Sequence, residues 1–92
     1  MNTAVESDDG SVALRTRALA AMRGWRAAIA ELVQEGIKRG EVQAKASPEA
    51  VATIIVSCLE GALMMSRLER DGGALHRVQN HLFDYLEASV RK

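Results

Sequence analysis

Cys58, His76 and His81 are the side chains in this sequence best suited to ligate a transition metal, and their spacing argues against it. Two histidines five residues apart do not share a helical face, and the single cysteine falls on a separate stretch. No metal site is expected. The lone cysteine also excludes an internal disulfide. Set amid Val56 and Leu59, Cys58 reads as a small buried hydrophobe. A reactive thiol would need an electropositive, partly exposed setting. No serine sits in a nucleophile motif and no glycine-rich loop could cradle phosphate. The carboxylates fall mainly on solvated faces, with no acid/base pair placed in a pocket. The chain is therefore read as non-enzymatic, with no catalytic residue and no cofactor.

Residues suited to binding are easier to find. Trp25 is the only tryptophan and shares a helical face with Met22 and Ile29. Large aromatic and methionine side chains suit an adaptable apolar pocket, and plain core packing would use the same residues. Arg15 and Arg26 edge this face. Either could meet an acidic ligand or a further domain, or could lay its stem along the apolar surface with its charge in water. Glu60 shares a polar strip with Thr53 and Arg67, where a solvated or salt-bridged carboxylate is the simpler reading than a ligand contact. Gly61, in a helix interior, sacrifices about 1 kcal/mol relative to alanine. Its use is close approach of another helix, from a second copy or from the same chain.

Three helices are expected to position these residues, giving an all-α fold. The lead-in over 1–10 is polar and acidic and reads as disordered. A first helix runs from about Val12 to Arg39, with Ser11 as N-cap and Asp8 and Asp9 favouring its positive end. Leu14, Ala18, Met22, Trp25, Ile29, Leu32, Val33 and Gly36 recur on one face at helical spacing. Glu35 and Arg39 form an i,i+4 pair with the acid first. Gly40 follows as the left-handed terminator. The second helix, 48–70, opens on Ser47 as N-cap and Pro48 at the first helical position. It stops at Asp71-Gly72-Gly73. The third helix, 74–90, aligns Leu75, Val78, Leu82, Tyr85 and Leu86 near heptad spacing.

The second helix carries more apolar surface than this chain can cover. Val51, Ile55, Cys58, Ala62 and Met65 mark one side; Ile54, Gly61 and Leu68 widen it one way, and Ala52, Leu59 and Leu63 the other. At about 100° per residue the apolar arc spans roughly 240°, where a surface helix needs only about 100°. The simplest cover is a second copy of the chain. Expected dimer contacts are Ile55, Cys58, Leu59, Gly61, Ala62, Leu75, Val78, Leu82 and Leu86. Lys and Arg together equal Asp and Glu, so the formal net charge is zero. That balance argues against a phosphate-gripping surface on this chain, which takes a basic excess. No uninterrupted apolar run is long enough to span a bilayer, and the start lacks a signal peptide's basic and apolar regions. No membrane partner is expected, and the chain is read as cytoplasmic.

The order of motifs resembles the C-terminal half of tetracycline-repressor-type (TetR family) transcriptional regulators. The resemblance is carried by Trp25, then ELVQEGIKRGEV (Glu31 to Val42), SPEAVA (Ser47 to Ala52), CLEGALMMSRLERD (Cys58 to Asp71) and HLFDYLEASV (His81 to Val90). It implies that the last two helices form a four-helix bundle with those of a second subunit. It also implies that the first helix is one wall of a small-molecule pocket, to which Met22, Trp25, Arg26 and Ile29 would belong. A preceding helix-turn-helix domain would read DNA; none stands in this sequence, so residues 11–92 are read as an incomplete domain of that type. The function expected is dimerisation and partial small-molecule sensing. The alternative is a stand-alone helical module that binds a different protein through the same apolar surface. The effector, the operator and the regulated genes are not written in the residues.

Overall fold

The computed structural model describes the backbone of residues 2–92 and the side chains of residues 10–92. The chain forms three helices, α1 (Asn2–Lys38), α2 (Pro48–Glu69) and α3 (Gly73–Tyr85), followed by a wider helical turn over Leu86–Val90. Helix α1 begins at Asn2 and not near Val12, so the lead-in expected as disordered is helical from Asn2 on, and Ser11 caps no helix end. Met1 lies outside the described residues. The physical reason is an absence of breakers: the one proline is Pro48, and Gly10 and Gly24 weaken a helix without stopping it.

Local signals set the other boundaries. At the end of α1, Gly40 takes a left-handed φ of 76°. The carbonyl of Gly36 accepts from the backbone N–H groups of both Glu41 and Val42, at 2.9 and 3.1 Å. The expected Glu35–Arg39 ion pair forms at 3.4 Å. At the start of α2, the Ser47 hydroxyl accepts from the Ala50 N–H at 3.2 Å, with Pro48 in the first turn. Helix α2 ends where expected, just before Asp71-Gly72-Gly73. The left-handed residue is Arg70, at φ 53°, and neither following glycine. Asp71 holds the turn by accepting from the Gly73 N–H at 3.0 Å. The Ser66 hydroxyl accepts from the Leu75 N–H at 3.3 Å, which fastens the end of α2 to the start of α3.

Helix α2 lies between α1 and α3 and packs along both, while among the described residues α1 and α3 do not pack on each other. The Cα atoms span 57 × 28 × 13 Å. With α1 and α3 each against α2 and not against one another, and the shortest extent less than half of the next, the three helices lie side by side in one layer. The radius of gyration is 17.0 Å, against about 12 Å for a compact chain of this length. The accessible surface is 7099 Å², against roughly 5,200 Å² for a compact monomer of this mass.

The three helices converge at one end only. There Val33, Val51 and Val90 form a buried cluster, flanked by Ile29, Ile37, Val42, Ile55, Tyr85 and Leu86. The cluster is closed by the tail. The turn over Leu86–Val90 widens to an i→i+5 pattern, with the Arg91 N–H donating to the Leu86 carbonyl at 2.8 Å. Arg91 then pairs antiparallel with Val42. Gln43 N–H donates to the Val90 carbonyl at 2.9 Å and Lys92 N–H to the Glu41 carbonyl at 3.0 Å. The third helix expected to run regularly to residue 90 is thus regular only to Tyr85, because pairing with the α1–α2 link reshapes its last turn.

Candidate functional site

Two surfaces of α2 carry the functional questions. The first faces α1. Trp25 and Ile29 of α1 meet Val56, Leu59, Glu60 and Leu63 of α2 around a groove of about 330 Å³. An adjoining hollow of about 380 Å³ continues along α2 and is lined by Trp25, Glu60, Leu63, Met64, Arg67 and Leu68. Both volumes fall within the range of small-molecule sites. Of the four pocket residues expected from sequence, Trp25 and Ile29 line these hollows. Met22 and Arg26 are half-buried on α1 and line neither. Trp25 is 53% exposed, so it forms a wall and not a core. Leu14 and Leu32, expected on the inner face of α1, are 72% and 71% exposed. At about 1.5 Å rise per residue, α1 outreaches α2 by roughly 20 Å, and Leu14 lies in the half that nothing in this chain covers.

Glu60 was missed as a groove residue because its helical angle groups it with Thr53 and Arg67 on a polar strip. The packing of α1 against that flank turns the strip into part of a concave surface. No salt bridge or side-chain hydrogen bond holds Glu60 among the described residues. The group of three or more ligands that a metal would need is also absent among the described residues.

The second surface is the side of α2 turned away from both neighbours. Ile54, Ser57, Gly61 and Met65 are exposed there, and Met64 and Leu68, which also line the hollow beside Trp25, stand exposed at its edge. A Cβ added at Gly61 would meet nothing within 4 Å, so among the described residues no other helix uses the room that glycine leaves. The dimer contacts expected from sequence divide accordingly. Ala62 and Leu82 are already buried within the chain, at 2% and 8% exposure, and leave a partner almost nothing to touch. Ile55 and Leu86 flank the valine cluster and Leu59 lines the groove. Cys58, Leu75 and Val78 are half-buried, and Gly61 is open. Ile54, Met65 and Leu68, which the expected contacts leave out, are exposed. Their signal was present, since Met65 marks the apolar side of α2 and Ile54 and Leu68 widen it.

Helix α2 has one further property. It is long and apolar enough, by length and composition, to cross a membrane. Glu60 and Arg67 interrupt it, and a helix packed by neighbours on two sides carries the same composition.

Comparison with known proteins agrees with this architecture. Residues 1–82 match the family described as tetracyclin repressor-like, C-terminal domain. The chain is similar to a TetR transcriptional regulator from Chloroflexus aurantiacus of known crystal structure, with 39% sequence identity and a TM-score of 0.83. The alignment covers 98% of this chain and 46% of that one, so the chain spans about half the length of that regulator. No curated protein matches it. The three-helix layer, its long first helix and its apolar second helix are therefore those of a known domain, and the chain belongs to the tetracycline repressor-like C-terminal domain family.

Proposed function

We propose that this chain is the dimerisation region, and one wall of the effector pocket, of a transcriptional regulator whose DNA-reading domain lies outside these 92 residues. The observation that carries the reading is the open stripe Ile54–Gly61–Met65–Leu68 on a single-layer fold. A second copy laid across Gly61 would cover it and complete a bundle of four helices. The accessible surface exceeds that of a compact monomer by roughly 1,900 Å², more than the about 800 Å² per partner of a standard interface. Part of that excess is the overhanging half of α1, which further protein would cover. Zero net charge supports leaving DNA contact to another domain. A ligand seated between α1 and α2 would then shift the helices and alter the spacing of two DNA-reading heads, inside the cytoplasm where such regulators act.

The test is solution mass by light scattering across a concentration series. The expected result is a particle of twice the 10.0 kDa chain, reduced to monomer by Gly61→Arg and by Ile54→Asp with helical content retained. A folded monomer at all concentrations, or an undisturbed dimer in both variants, would overturn the assignment. A monomer that captures one foreign protein stoichiometrically would do the same in favour of an interaction module.

A further inference from the structure

We infer that the groove between α1 and α2 takes a lipophilic cation, held by the Glu60 carboxylate against the face of Trp25. The inference deepens the effector-binding reading and rests on it. Of the six residues around the 330 Å³ groove, five are apolar and the sixth is Glu60. Glu60 is half-buried among Trp25, Ile29, Val56, Leu59 and Leu63, which removes part of its hydration, and among the described residues no cation lies within salt-bridge distance of it. A carboxylate half-shielded from water by apolar neighbours and left without a partner favours an occupant that brings the opposite charge.

Trp25 adds a second preference of the same sign. The indole face is the best aromatic surface for a cation, and an anion placed there is repelled by the same quadrupole. The apolar remainder of the groove selects a hydrophobic body around the charge, as in other small-molecule sites. Arg67 lines only the adjoining hollow. It follows Glu60 by seven residues, about 10 Å along the helix axis, which is close to the screening length of physiological salt. Its repulsion is strongest in that adjoining hollow, which favours a cation seated in the groove that Trp25 and Glu60 line without it.

The single tryptophan is the reporter. Trp25 fluorescence of the purified chain is titrated with three probes of similar shape: tetraphenylphosphonium, triphenylphosphine oxide and tetraphenylborate. Tetraphenylphosphonium is expected to perturb Trp25 saturably and to bind at least tenfold more tightly than either other probe. Glu60→Gln, checked for retained helicity by circular dichroism, is expected to lose that preference at least tenfold, and Glu60→Asp to keep most of it. Equal binding of all three probes, or a cation preference unchanged in Glu60→Gln, overturns the inference while leaving effector binding standing. Saturable binding of none of the probes overturns both. A Trp25 signal that changes with protein concentration and excludes the probes shows a second copy in the groove, and also overturns the inference.

Discussion

Gly36 and Gly24 lie in the same helix and should respond oppositely to the same substitution. At Gly24 an added Cβ meets nothing within 4 Å, so Gly24→Ala changes only helix propensity. It should stabilise the chain by about 0.5–1 kcal/mol. At Gly36 the added Cβ would fall 2.5 Å from Cγ2 of Val42 and 3.3 Å from its Cβ. Val42 is β-branched and stiff at χ1. Its backbone is also held, by the Gly36 carbonyl on one side and the pairing with Arg91 on the other. The link must therefore move as a unit. Overpacking of this kind costs about 1–3 kcal/mol, which exceeds the propensity gain. Gly36→Ala should fall below Gly24→Ala by about 1–3 kcal/mol, or by roughly 5–20 °C in melting temperature for a chain of this size. Urea unfolding followed by circular dichroism at fixed protein concentration measures both variants. If Gly36→Ala proves as stable as Gly24→Ala, the link does not seat on α1 as described.

Two further substitutions probe the ends of the elements. Arg70 holds a left-handed conformation that is easier for glycine, so Arg70→Gly should raise stability by about 1 kcal/mol, read as a higher urea midpoint. Val90 is 6% exposed within the valine cluster. Val90→Asp would bury an unpaired carboxylate there and should destabilise by about 3 kcal/mol or more. Amide hydrogen exchange at Gln43 and Lys92 should rise in that variant before exchange in α2 does.

What the sequence disclosed was mostly local. Ser47-Pro48, Gly40 and the Glu35–Arg39 pair act within a few residues of themselves, and each was legible from type and spacing. The excess apolar arc of α2 was legible too, because a helix fixes its own angles. Which part of the arc stays open was not, since that depends on the flanks that α1 and α3 occupy. Ala62 and Leu82 turned inward for this reason, and Ile54, Met65 and Leu68 outward. Glu60 changed its surroundings in the same way. The wide last turn and the Val42–Arg91 pairing join residues 49 positions apart, and no periodicity in either segment announces that contact. The left-handed turn at Arg70 was hidden by the more obvious glycines that follow it.

A fold one helix thick has a consequence for how signals cross it. Glu60 and Gly61 are consecutive residues, yet one borders the groove and the other the open stripe. Side chains on α2 lie about 5 Å from its axis, so a roll of the whole helix by about 10° moves both surfaces by about 1 Å. Under the proposed function no relay of intervening side chains would be required, because the helix that meets the ligand would also be the helix that meets the second copy. Linkage then runs both ways: whatever favours one roll angle through the groove must favour association at that angle, and association must return the same free energy to occupancy of the groove.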